Sequence, residues 1–344
     1  MEPIQLGALK IYPFGLFFAI LLIPFFAGVA YLMKKNGLKS GTASWFAVLA
    51  VPLCFVLARL GFCLFSIDQI FGSGDYASIF RVSEGGFLLW GAIAGALLAA
   101  KLAGRATRQS GGAVADSMII PACLLIVAIR LLCGLLFKGF GLGLPLDYWF
   151  DPEETDFAYR YSVWPLEDYS FFERFPFAGL SFYDYWCWAV FVPQAIWAGV
   201  MAFLLSRVKD MAPGGKTAKF VILHSCGTIV LESMLYGGEI VHLPWLAFVK
   251  ANQILCAVAL LAVILVCLRR LPKENRGKAA LIVFPQFLIA IGVIILLEFA
   301  AFEKKIPEIE WLPADACHLL MALACLWIAL AVRPLWEKAY ANRS

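Results

Sequence analysis

The sequence predicts an all-α polytopic membrane protein, and three observations lead there. Of 344 residues, 62% are hydrophobic, and the mean hydropathy is +0.83, well above the range of soluble domains. Apolar runs of about 20 residues, the length that crosses about 30 Å of hydrocarbon, recur at 11–33, 44–66, 86–104, 114–137, 182–206, 219–236, 251–268, 280–302 and 315–332. Charge also alternates between the connections. Lys34, Lys35, Lys39, Lys101, Arg105, Arg108, Arg207, Lys209, Lys216, Lys219, Arg269, Arg270, Lys273, Arg276, Lys278, Arg333, Lys338 and Arg343 mark one side, which the positive-inside rule assigns to the cytoplasm. Acids gather opposite, at Asp147, Asp151, Glu153, Glu154, Asp156, Glu167, Asp168 and Glu173. Nine spans, with the N-terminus outside and the C-terminus cytoplasmic, satisfy that pattern.

The same composition excludes several functions. No basic stretch precedes the first run and no small-residue cleavage site follows it, so it reads as a retained span rather than a signal peptide. The basic connections lack the aromatic interleaving of nucleic-acid-binding surfaces, and no nucleic-acid partner is expected. All ten cysteines fall inside the expected spans without a CxxC pair, and His224, His242 and His318 have no ligand spacing. Neither a disulfide framework nor a metal site is implied, and no cofactor is expected.

Taken in order, the first run begins IYPFGLFFAILL, and the second carries Arg59 and Gly61 in VLARLGFCLF. Arg59 either snorkels to the outer headgroups or faces a polar interior. The outer connection ends in Arg81 and the Gly85–Gly86 pair, where backbone N–H groups before a helix would receive an anion. Gly91, Gly95 and neighbouring alanines in the third run let helix backbones approach closely. The fourth run holds Asp116 near its cytoplasmic start and Arg130 about four turns later, too far apart to pair. An ionisable group in a span costs about 2.5–3.5 kcal/mol on insertion scales, which makes Arg81 and Arg130 functional candidates.

Residues 138–181 form a small outer cap dense in acids and aromatics, suited to lying on the membrane or meeting a protein partner. The fifth run contains Pro193 and Gln194, and the sixth contains His224 and Glu232. Pairing with Arg59 or Arg130 is the simplest account of Glu232. Asn252 and Gln253 open the seventh run, and Glu298 in the eighth lies near enough to the outer face to reach water. No internal repeat is evident, which argues against a transporter of inverted repeats.

The order of these features resembles the prolipoprotein diacylglyceryl transferase family. The resemblance covers residues 8–268 and rests on YPFGL, ARLG, RVSEGGFLLWGAIAG, ADSMIIP, AIRLLCGLLFKGFG, VPQAIW, IVLE and NQIL. It implies a seven-span core in the bacterial inner membrane, here followed by a basic linker at 269–278 and two additional spans within 279–344. It also implies transfer of a diacylglyceryl group from phosphatidylglycerol to the lipobox cysteine of a lipoprotein precursor. Arg130, Arg81, Arg59, Gly85 and Gly86 then become candidates for holding lipid phosphate, Gln194 and Gln253 for lining the cavity, and Glu232 or His224 for taking a proton. Several positions depart from the family pattern. Trp90, Gly91 and Ala92 stand where the family has a histidine and two glycines; Phe14 replaces a tyrosine and Thr228 an arginine. Cys133 and Leu136 stand for asparagines and Lys138 for a glutamate, while Arg130 and Gly141 are kept. Two functions follow from this: a divergent transferase that uses the phosphate-holding arginines, or a non-catalytic subunit that binds an anionic lipid or lipopeptide.

Overall fold

A computed structural model describes residues 4–6, 9–11, 13–66, 74, 76–81, 86–136, 179–182, 185–188, 190–235, 250–299, 312 and 314–342. Among these, nine α-helices follow one another: α1 Pro13–Lys35, α2 Ser40–Phe65, α3 Leu89–Thr107, α4 Gly111–Leu136, α5 Phe191–Ser206, α6 Gly215–Ser233, α7 Ala251–Arg270, α8 Lys273–Glu298 and α9 Ala314–Tyr340. A 3-10 turn at Tyr76–Phe80 lies between α2 and α3. The protein is an all-α polytopic membrane protein, and each expected apolar run falls on a helix. Seven helices, α1–α4 and α7–α9, are long and apolar enough to cross a bilayer.

The other two show how composition shapes a helix. The fifth run was expected from 182, but α5 begins at Phe191, because a short antiparallel pair occupies the preceding residues: β3 Gly179–Phe182 with β4 Tyr185–Trp188. Aromatic residues suit a strand as well as a span, and Cys187 therefore lies in β4 rather than in a helix. Pro193 falls in the first turn of α5, where its missing N–H has no intrahelical role. α6 is full-length at 19 residues, yet Lys216, Lys219, His224 and Glu232 lower its hydropathy. A second two-stranded pair, β1 Ile4–Leu6 with β2 Leu9–Ile11, precedes α1. The described part of the outer cap is confined to the start of β3, and its other residues lie outside the described set.

The chain forms two compact units. The first takes in Met1–Ile129, Ala198–Phe220 and Tyr340–Ser344. Its tightest seam joins α2 to α3. A Cβ added at Gly91 would strike the Leu57 carbonyl oxygen, and one at Gly95 would lie 2.6 Å from the Cys54 backbone. Ala99, Ala100 and Ala103 continue that small-residue stripe and are fully buried.

One end of this unit is tied by polar contacts between connections. Asn36 Nδ2 donates to Ser117 Oγ at 2.8 Å, and the Thr42 and Thr107 hydroxyls lie 3.1 Å apart. The Asp116 carboxylate accepts from the backbone N–H groups of Gly214 and Thr217, each at 2.8 Å, and from the Thr217 hydroxyl at 2.7 Å. Its partner is thus the start of α6, whose first N–H groups no intrahelical carbonyl can satisfy. Ala212 N donates to Tyr340 O at 2.9 Å, bringing the end of α9 to the same connection.

The second unit takes in Arg130–Trp197 and Val221–Ala339. Trp197 of α5 donates from Nε1 to Leu223 O of α6 at 3.2 Å, and its indole covers Gly227, where any Cβ would collide with the ring. Leu297, Cys317 and Met321 form a buried cluster with Val230, Val293 and Leu312 against it, which packs α8 and α9 on α6.

Candidate functional site

Arg59 lies within α2 and is 9% exposed. Its guanidinium reaches backbone oxygens of the connection that follows: Nε donates to Ile79 O at 3.0 Å, Nη1 to Gly86 O at 3.1 Å and Nη2 to Arg81 O at 3.3 Å. The cation also faces the rings of Phe62 at 5.3 Å and Phe87 at 6.0 Å. A planar fork of donors suits several acceptors at once. Arg59 therefore points into protein rather than snorkelling, and it ties Ile79, Arg81 and Gly86 to α2.

Gly86 makes that geometry possible. Its φ of 78° is in the left-handed region, and a Cβ there would sit 2.6 Å from the Phe62 ring and 2.7 Å from Arg59 Nη1. Arg59, Arg81 and Gly86 thus meet in one corner, with the Arg81 side chain exposed. Gly85 lies outside the described residues. Trp90, in the first turn of α3, is buried just beyond this corner. Lys138 and Gly141 lie outside the described residues, and Cys133 and Leu136 belong to the last turns of α4.

The remaining candidates belong to the second unit. Arg130 of α4 is half-buried and close enough to His224 of α6 to act on it electrostatically. His224 is 5% exposed. Gln194 of α5 is buried, and its Oε1 has no hydrogen-bond partner among the described residues.

Glu232 sits near the end of α6 and is buried. Its Oε1 accepts from Asn252 Nδ2 at 2.7 Å. Lys250, 4% exposed, donates from Nζ to Glu232 O at 2.7 Å and to Leu235 O. The expectation gave Glu232 an arginine; the structure places Asn252 and Lys250 on it. A lysine across the last carbonyls of a helix also complements the negative end of its dipole. Gln253 accepts from Lys250 N at 3.1 Å and donates to Ile229 O at 3.2 Å and to Glu298 Oε1.

Glu298 corrects another expectation. It does not reach water: it is 2% exposed and held by Gln253. Lys250 was missed altogether, since a lysine beside a span reads as a solvated flank. The available signal was its side, because the expected topology puts residue 250 on an outer connection, opposite most of the chain's lysines.

Apolar helices that bury an arginine in the first unit, and a lysine, two glutamates and a histidine in the second, define a membrane protein with ionisable groups inside its helical packing. The chain belongs to the prolipoprotein diacylglyceryl transferase family, whose pattern it matches over residues 2–269, and members of that family act in lipoprotein biogenesis. It is 30% identical over 132 residues to a phosphatidylglycerol–prolipoprotein diacylglyceryl transferase of Oceanobacillus iheyensis, covering 37% of this chain and 45% of that protein. It is 23% identical over 241 residues to the protein of the same name from Halalkalibacterium halodurans, covering 68% of this chain and 76% of that one. The first match spans less than half the length of its relative. Helices α8 and α9 begin beyond the matched segment.

Proposed function

We propose that this chain is a divergent lipoprotein-modifying transferase of the bacterial cytoplasmic membrane. Its substrates are an anionic phospholipid of the phosphatidylglycerol type and the cysteine of a lipoprotein precursor. The observation that carries this reading is Arg130 beside the buried His224, on helices within the family-matched segment. In the transfer, the cysteine sulfur attacks the glyceryl carbon of the lipid, a C–S bond forms and the C–O bond to phosphate breaks. The thiol proton goes to a base and the departing group is a glycerol phosphate. Thiolate is the competent nucleophile, and Glu232, or His224 beside the Arg130 cation, is the candidate to take its proton. Arg130 stabilises the departing phosphate, because fixed cations act most strongly where water is excluded, and Arg81 is a separate candidate for holding lipid phosphate. Gln194 and Gln253 supply polar lining.

Nine crossings, with the N-terminus outside, agree with the basic residues of alternate connections. A membrane partner at the outer cap remains part of this reading.

A second reading is favoured by one observation: Trp90 is buried where the family carries a histidine. In that case the chain binds the lipid or lipopeptide without turnover. The two are separated by incubating purified protein with phosphatidylglycerol and a lipobox peptide. Transfer is seen as a diacylglyceryl mass gain on the cysteine, and Arg130→Ala is expected to reduce it by about 10²-fold, the scale of losing one charge-stabilising contact. Folded wild-type protein that retains phosphatidylglycerol over phosphatidylethanolamine in native mass spectra, yet gives no mass gain, establishes the binding function instead.

A further inference from the structure

Helices α8 and α9 lie beyond the family-matched segment, yet Glu298 of α8 enters the polar cluster that holds Glu232. Its Oε1 accepts from Gln253, while Oε2 has no hydrogen-bond partner among the described residues. Gln253 also contacts Ile229 O of α6 and the Lys250 backbone N–H. Lys250 is near enough to act electrostatically on both Glu232 and Glu298. From α9, Cys317 packs against Leu297 and precedes His318, both of them buried.

One ammonium and two carboxyls therefore share a buried volume. Fully ionised, those three groups would carry a net negative charge, and an uncompensated charge taken out of water costs several kcal/mol. Retaining one carboxyl proton removes that cost. The two carboxyls are not equivalent in this respect. Glu232 has the Asn252 amide on its side chain and the Lys250 ammonium at its backbone carbonyl. Glu298 has a single amide donor and adjoins the apolar cluster of Leu297, Cys317 and Met321.

We propose that Glu298 holds its proton at neutral pH and so leaves Glu232 as the charged partner of Lys250, which makes the additional helices part of the site. Glu298 is a positioning residue, acting through Gln253 and Lys250. The consequence for turnover rests on the proposed function, whereas the protonation itself does not. A neutral Glu298 lets the Lys250 ammonium serve Glu232 alone. Once Glu298 ionises, the two carboxylates compete for the same cation and Glu232 is no longer held in one state.

Infrared spectroscopy of the full chain in nanodiscs tests the protonation without any need for activity. At neutral pH a carboxylic-acid C=O band is expected that shifts on ¹³C-glutamate labelling, disappears in Glu298→Gln and persists in Glu232→Gln. The labelling step uses only wild-type protein, so it stands even where a variant folds poorly. A wild-type spectrum without a glutamate acid band, or a band that survives Glu298→Gln, overturns the proposal. In the transfer assay wild-type turnover is expected to decline at alkaline pH as Glu298 ionises, and Glu298→Gln, neutral at every pH, should abolish that decline. An unchanged alkaline decline counts against the positioning role. Wild type without turnover but with the infrared band would fail the proposed function and leave the protonation intact.

Discussion

Charge inside hydrocarbon is costly enough to draw attention to Arg59 and Arg130 from sequence alone, but the cost does not say what each one holds. Arg59 turns out to serve carbonyls of Ile79, Arg81 and Gly86, and backbone acceptors have no sequence signature. Arg59→Lys offers one flexible ammonium in place of a planar fork. It should destabilise the protein by about 1–3 kcal/mol, the cost of an unsatisfied buried polar group, with faster hydrogen exchange at residues 76–81 and 86–88. Exchange that stays at wild-type rates would mean that the connection does not depend on Arg59. The glycines were more legible than the arginines' partners, since small residues at helical spacing imply close backbones. Even so, sequence does not rank them. Gly91→Ala or Gly95→Ala would drive a Cβ into α2 backbone, and should cost about 1–3 kcal/mol or more. Gly15→Ala and Gly292→Ala meet nothing within 4 Å and should instead gain about 0.5–1 kcal/mol from helix propensity. Thermal unfolding in detergent of the four variants checks the ordering.

At the scale of the element, α6 is the least apolar of the helices, and its two ends explain how it is kept. Asp116 of α4 accepts from the N–H groups at its start, and Lys250 donates to carbonyls at its end. These are capping interactions supplied by other helices, so no capping motif within the α6 sequence announces them. They were half legible: Asp116 was known to need a partner, but Lys250 and Glu298 lie within a turn of span ends, where length alone allows contact with water. The start of α5 was hidden for a different reason, because an aromatic run satisfies both a strand and a span. Asp116→Ala should cost about 0.5–2 kcal/mol, as for loss of an N-terminal cap. It should also speed exchange at the N–H groups of Gly214 and Thr217 before those of α7. A loss of protection spread evenly through the chain would argue against a local cap.

For the whole molecule, the open question is how many helices cross. Length and apolarity select seven, leaving α5, at 16 residues about 24 Å, and α6, at 19 residues about 28 Å. Both nine and seven crossings put the termini on opposite sides, so the termini cannot decide. The two counts differ in the side they give to the connection 207–214. It is tied to Asp116 near the start of α4 and to Tyr340 at the end of α9, alongside residues whose basic neighbours favour the cytoplasm. On the proposed nine-span topology the chain returns there after the outer cap by a crossing of α5. The Lys250 contacts place the end of α6 with the start of α7, and on the same proposed topology α6 crosses back. With Asp210 and Tyr76 both exposed, single cysteines at these positions give the test against the wild-type labelling background. Asp210→Cys should react with a membrane-impermeant maleimide only after the cells are opened, whereas Tyr76→Cys should react in intact cells. Labelling of Asp210→Cys in intact cells would mean that α5 does not cross. Nine crossings would then give way to seven, and the connection between α5 and α6 would move to the outer face.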